Sequence, residues 1–422
     1  MISDKVGPAG RRGGQTQSPK PVAALAQKMK LSCGAILALS AGAGAAGVAA
    51  GKSCTPKAGG SPKVDDVPAI HAAIKACSSG TVVIPKGTTY HVNSQLSLAG
   101  CRGCTLQLDG TLQVSADVGY WNNKGRIIYI SGVNGATITG SGTIDGNGQA
   151  SWDYYAKNRG INLPFLVQVD GSANVVVSGI TLRNAPMFHV VTSGNSHHIR
   201  YSHLTLHSVS KSKAEAMNTD AFDIGASSWV TVEHSTVTNS DDCVVLKPGS
   251  DHITVQGMTC TGSHGLSVGS LADGPGVNEL VSNSIFRDSL MIDSLKAAGI
   301  KYWPGGPHHG TGLVSNVTWQ NIQVQNCNYA FQVATCYNSR PAACDKHPST
   351  GRIEGVTVAD FTGFTSRGYG TSAVANIDCS RRGSCGIKMR NFGVTSPDKK
   401  NQVLCANTPA SLGVGCTAGA WG

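Results

Sequence analysis

Apolar residues recur at alternate positions in a series of short, self-similar octets. VVVSGITL begins at Val175, IRYSHLTL at Ile199, VTVEHSTV at Val230 and ITVQGMTC at Ile253. VTWQNIQV from Val317, VTVADFTG from Val356 and IKMRNFGV from Ile387 continue the series. Each reads as a short alternating strand, one or two polar or glycine residues, then a second short strand. Start-to-start distances of 24, 31 and 23 residues separate the first four. One such unit cannot bury its own apolar face, whereas stacked units share a continuous core. Asn-Gly hairpin signals, the mark of an antiparallel sandwich, are largely absent. The pattern predicts an all-β fold, a single-stranded right-handed parallel β-helix. VPAIHAAIKAC, Val67 to Cys77, instead spaces its apolar residues for a helix, which would cap the N-terminal end of the stack.

Composition fits such a stack. Glycine makes up 53 of 422 residues and charged residues only 14%, which favours tight turns and buried strands over a helical bundle or a disordered chain. The N-terminus reads differently. Lys28-Met29-Lys30 precedes an apolar Ala/Gly-rich run, Leu31 to Ala50, with Val48-Ala49-Ala50 as a small-residue cleavage site. Residues 29–50 are therefore expected to be a signal peptide and 1–28 a dispensable leader or over-extended start. Residues 51–422 would form one β-helical catalytic domain, secreted to the extracellular space. Glycines interrupt the apolar run, which argues against a membrane span. The whole chain carries a formal +10, but residues 51–422 hold 28 basic and 23 acidic side chains, about +5. That balance suits an anionic substrate. No run interleaves basic and aromatic residues, which argues against nucleic acid as a partner. A monomer with no cofactor and no metal is expected.

Fourteen cysteines in a secreted chain read as a disulfide framework. Cys33 falls in the signal peptide. Short separations predict Cys54–Cys77, Cys243–Cys260, Cys336–Cys344, Cys379–Cys385 and Cys405–Cys416. Cys101 and Cys104 are placed to pair, leaving Cys327 as a small buried residue. The single C-x-x-C has no second Cys/His pair at metal-ligand spacing.

Four polar clusters fall in successive repeats: Asn218-Thr219-Asp220, Asp241-Asp242, Ser263-His264-Gly265 and Ile300-Lys301. Asp241 lies 11 residues after Val230, and His264 lies 11 after Ile253. Equal offsets predict that these two stand one above the other, about 4.8 Å apart, the strand spacing. Asp220 precedes Asp241 by 21 residues, roughly one coil, and should join the same patch. Three carboxylates and an imidazole in one place suit glycosidic cleavage, which needs one protonated carboxyl and one ionised carboxylate. Like charges this close cannot all ionise, so the crowding itself retains a proton.

NTDAFD (218–223), DDC (241–243), SHGLSVGS (263–270) and IKYWPG (300–305), in that order, resemble glycoside hydrolase family 28, the polygalacturonases and their relatives. IDGNGQASWD (144–153), NAPMFH (184–189) and CNYAFQ (327–332) support the resemblance, which runs from about Cys54 to Cys416. It implies cleavage of pectic galacturonan with inversion, Asp241 as general acid, and Asp220 and Asp242 activating water. His264 would tune the acid, Lys301 and Tyr329 would hold the sugar carboxylate and ring, and Asn218 would bind the sugar. One position departs: the family usually has Arg two residues before the lysine, and this chain has Gly299. Arg grips a carboxylate with two hydrogen bonds and glycine cannot. Gly299 would either open space for a xylose-decorated backbone, or simply end a turn while another cation compensates.

Rival functions are plain homogalacturonan cleavage, endo or exo, a pectate or rhamnogalacturonan lyase, and a non-catalytic carbohydrate-binding β-helix. A lyase needs calcium and a cationic base; a binding module has no reason to stack three carboxylates. The remaining motifs read as structural. GSGTIDGNG (140–148) lacks the lysine of a phosphate loop. His197-His198 and His308-His309 are adjacent pairs, which on a regular strand point apart and would not share a metal. Asn316-Val317-Thr318 is a glycosylation sequon, expected to start a strand on an exposed edge.

Overall fold

The structure is a computed structural model and describes residues 51–421. The expected leader and signal peptide lie outside the described residues. Within them every strand pairing is parallel, each coil bonding to the next, as a right-handed parallel β-helix requires. Strands form a 12-stranded sheet on one face and a 20-stranded sheet around the rest of the coil. No helix among the described residues is long and apolar enough to cross a membrane.

The fifth position of each octet explains the repeat. Gly179, His203, His234, Gly257, Asn321, Asp360 and Asn391 all have positive φ, between 48° and 75°. L-residues avoid that region, and Asn, Asp, His and Gly tolerate it best. The chain turns there, so the two halves of an octet enter separate parallel columns. One coil escaped the sequence pattern. Ser284 stands where other octets start with Val or Ile and pairs with Val317, while Asp288 takes the corner with φ 53°. The Ser284 hydroxyl accepts a hydrogen bond from the Ile253 amide at 3.1 Å, so a polar residue sits in a core-lining column without an unmet partner.

Inward positions of all faces fill one core. Phe286 stacks on Trp319 at 5.1 Å, and Trp319 meets Phe331 edge-on at 5.4 Å. Each such fully buried apolar side chain contributes about 1.5–3 kcal/mol. The expected cap is a helix at Val67–Ala76, started by Pro68 and burying Val67, Ile70, Ala73 and Ile74. Proline suits that first turn because its missing N–H has no helical partner there. Cys77, just past the helix, is tied to Cys54.

All five expected disulfides are present, Cys101 pairs with Cys104, and Cys327 is a buried free thiol. Two expectations need correction. Asn316 does not start an edge strand: it lies inside Thr311–Cys327, which is paired on both sides, although the residue itself is exposed. His197 and His198 do not point apart, because His198 has φ 56° and their Nδ1 atoms come within 2.9 Å.

Candidate active site

Five consecutive strands of the 12-stranded sheet carry the site: Phe222–Ile224, Val244–Leu246, Leu266–Leu271, Lys296–Tyr302 and Tyr329–Ala334. Phe222, Val244, Leu266, Ala298 and Phe331 are paired in register, all pointing into the core. Two residues before each stand Asp220, Asp242, His264, Lys296 and Tyr329, where the chain rounds the corner into its strand. These five form one column, a side chain per rung. The expected register was off by one: Asp242, not Asp241, shares the column with His264. Asp241 sits one residue earlier and reaches across, its Oδ1 at 3.0 Å from Nδ1 of His264. Its carbonyl also accepts the His264 amide at 2.8 Å.

The three carboxylates converge, with an oxygen of each within 4.8 Å of the others. Asp242 is held from both sides, by Lys301 Nζ at 2.6 Å and by the Ser267 hydroxyl at 2.8 Å. Asn218 Nδ2 donates to Asp241 Oδ2 at 3.3 Å. Tyr329 pairs with Lys296 in register, but it is 1% exposed and packs against Tyr369 at 5.1 Å, away from the carboxylates. Trp421 touches Tyr369 in turn and bonds through its backbone to Asn376 on the sheet floor.

Several functional neighbours were not singled out from the sequence. Asn239 donates to the carbonyls of Thr219 at 2.7 Å and Asp242 at 3.0 Å, clamping two site turns together. His189 is fully buried beneath the Thr219 and Asp220 carbonyls, at 3.2 and 3.3 Å, and meets the Ser208 hydroxyl at 3.0 Å. Burial pushes its pKa down to about 4, so it is a neutral strut. Asp223 and Lys247 form a second pair at 3.5 Å. The available signal was strand parity: Asp223 is the outward residue of NTDAFD, paired beside Val245.

Charge is divided unevenly across this cluster. Burial lifts Asp220 well above the usual carboxylate range, and the Asp241 and Asp223 charges add to the lift. Its Oδ1 has no hydrogen-bond partner. Burial also works against Asp242, but Lys301, Lys296, Lys247 and His264 overcome it and hold Asp242 far below that range. Asp241 likewise ends below its ordinary value, burial being outweighed by His264, whose own pKa is raised by Asp241 against the effect of burial. Of the three carboxyls, Asp220 is therefore the one pushed towards keeping its proton. Protein cations supply counter-charge, with Lys301 directly on Asp242.

The profile of Glycosyl hydrolases family 28 matches residues 75–416. The chain belongs to glycosyl hydrolase family 28. As a member of that family it is a glycoside hydrolase. "Probable endo-xylogalacturonan hydrolase A" of Aspergillus fumigatus is 46% identical over 374 residues, covering 87% of this chain and 91% of that one. The crystal structure of endo-xylogalacturonan hydrolase from Aspergillus tubingensis superimposes with a TM-score of 0.86 at 43% identity, covering 88% of this chain and all of that one. A polygalacturonase from Erwinia carotovora shares the fold, with a TM-score of 0.68 at 22% identity over 86% of this chain and 97% of that one. Within the family frame, Gly299 does not end a turn. It lies mid-strand in Lys296–Tyr302, and the stem of Lys296 lies against its bare Cα.

Proposed function

We propose that the chain is a secreted hydrolase that cuts α-1,4-galacturonosidic bonds within xylose-substituted galacturonan, by an inverting acid/base mechanism. The convergence of Asp220, Asp241 and Asp242 against Lys301 carries the hydrolytic part of this reading. The endo-xylogalacturonan hydrolases, matched over about nine-tenths of their length, carry the substrate. Six disulfides fit an oxidising extracellular destination, and exposed Asn316 is the site for an N-linked glycan.

Asp241 delivers the proton to the leaving glycosidic oxygen, while Asp220 and Asp242, adjacent on one column, hold the attacking water between them. Asp220 is the carboxyl pushed towards its acid form and Asp241 is held towards its anion, so the acid form of Asp241 is a minor state of a group that titrates as a unit. His264 sets how minor it is. Lys301 anchors the substrate carboxylate and Asn218 a sugar hydroxyl, both beside the scissile bond. Tyr329 bears on the ring indirectly, as the support beneath Tyr369. Trp303 and Tyr337, edge to face at 5.7 Å next to Lys301, offer aromatic surface to a neutral xylose branch. The carboxylates lie closer than the roughly 6.5–9.5 Å usual for inversion, because a one-rung stack limits their separation.

Initial rates on xylogalacturonan and on unbranched polygalacturonate test the substrate. The xylosylated polymer is expected to be cut faster, and a clear preference for the unbranched one would overturn that assignment. Proton NMR of the first-formed product reads the stereochemistry, with the β-anomer expected. Products absorbing in the ultraviolet would mean elimination instead of hydrolysis.

A further inference from the structure

Lys296 is 3% exposed, stands between His264 and Tyr329 on the catalytic column, and has no part in the mechanism above. A β-carbon at position 299 would collide with the Gln332 carbonyl oxygen and stand 2.9 and 3.0 Å from Cδ and Cε of Lys296. Any side chain there, an arginine included, would displace the lysine from its present course. The missing guanidinium and the buried ammonium are thus two aspects of one arrangement.

We propose that Lys296 is a positioning residue for the acid/base cluster: a fixed positive charge, admitted by the bare Cα of Gly299, that sets the protonation of Asp242 and His264 together. It stands in for the charge that the family's usual arginine would bring to position 299. The assignment rests on the reading of Asp242 as part of the base and of His264 as tuning the acid.

Other charges face the same place. Lys301 holds Asp242 directly at 2.6 Å, and Lys247 approaches from the neighbouring strand Val244–Leu246 side through Asp223. Asp220 occupies the rung before Asp242, and Asp241 bonds His264 at 3.0 Å. Tyr329 is the register partner of Lys296 on the following strand. Lys301 holds Asp242 at contact distance, and the Lys296 charge bears on Asp242 and His264 alike. That charge lowers Asp242 and also opposes the rise at His264. Removing a cation raises the pKa of every group it faces, so both must move the same way.

The test is the pH profile of kcat/KM on xylogalacturonan for Lys296→Met. Both limbs are expected to move to higher pH, by about one unit, because loss of the charge raises the base and the His264-linked acid alike. Lys296→Arg should return the profile towards its starting position. NMR titration of the His264 ring gives the same reading without turnover, and its midpoint should rise in Lys296→Met. If that variant does not fold, Lys296→Gln is read in its place. A lower kcat at every pH with both limbs and the His264 midpoint unmoved would reduce Lys296 to packing and overturn the proposal. An unmodified protein inactive on every galacturonan, yet showing the His264 shift, would sink the proposed activity and leave the electrostatic role standing.

Discussion

Two columns of this β-helix obey the same geometry and use it in opposite ways. On an outer corner, His198, Trp229, His252, Asn283 and Asn316 stand one per rung, all at positive φ. Each finds a like neighbour to satisfy it: Trp229 stacks on His252 at 4.1 Å, and Asn316 donates to Asn283 at 2.8 Å. Where the sheet strands begin, Asp220, Asp242, His264 and Lys296 are stacked at the same repeat, but the neighbours are ionisable groups, three of them buried and His264 half-buried. Stacking resolves the first column locally. The second is resolved only by unequal sharing of protons and by cations from other columns. A scaffold rigid enough to hold like groups one rung apart can therefore stabilise an exposed ladder or hold a buried one in electrostatic tension.

The sharpest way to break the comparison is at the floor. Asp241→Asn removes the proton donor and should lower kcat by about 10²–10⁴-fold, the usual contribution of general acid catalysis. Folding should survive, since the asparagine still accepts from the Asp242 amide now bonded at 2.8 Å. Steady-state rates with a thermal melt check both; a variant keeping a tenth of the activity would remove Asp241 from the chemistry. Lys301→Met attacks stability instead. It leaves Asp242, 1% exposed at its side chain, without its closest counter-ion, a change that costs about 3–5 kcal/mol for buried pairs. Denaturant unfolding measures it, and adding Asp242→Asn should restore much of the loss. Full additivity of the two substitutions would mean that the pair is not coupled.

Substitutions on the corner column should be milder and silent in activity. Asn316→Ala gives up one side-chain hydrogen bond, about 0.5–1.5 kcal/mol, and puts alanine at φ 54°, about 1–2 kcal/mol more. Asn316→Gly should cost only the first part, so the difference between the variants isolates the backbone term. A glycan at Asn316 would vanish from the mass of both.

How much of this was legible in the chain follows from which period carried it. The octets gave the fold, because their corner residues, Asn, Asp, His and Gly, are chemically marked. They also brought Asp241 and His264 together, although the site strands pair Val244 with Leu266, 22 apart, while the octets repeat at 23. One residue is absorbed in the turn, so the column actually contains Asp242. Octet spacing could not reach Lys296, because the coil leading to it begins with Ser284 and breaks the apolar pattern. Family motifs marked the absent arginine at 299 but said nothing of what fills its place. That took the packing of a lysine stem three residues upstream, a contact with no sequence period at all.

The finest test returns to the floor and concerns stability, not turnover. Asp220 is the group the fold disfavours as an anion, since burial and the Asp241 and Asp223 charges all raise its pKa. Below the ordinary carboxylate pKa, near 3.8, it is protonated in both folded and unfolded chains and contributes nothing. As pH rises past that value the unfolded chain loses its proton while the folded chain keeps it, so the folded state loses ground. That loss stops growing only above the raised folded pKa. Asp220→Asn carries no proton to lose and escapes the penalty. It should be more stable than the parent at pH 7, by on the order of 1 kcal/mol, with the advantage fading towards pH 3.5. Asp242→Asn should show the reverse sign, because Asp242 is depressed and its contribution is present above 3.8 and lost as pH falls. Unfolding free energies for both variants across that range decide the matter. If the two curves run parallel, the carboxylates one rung apart do not divide their protons unequally, and the floor would be no more strained than the corner.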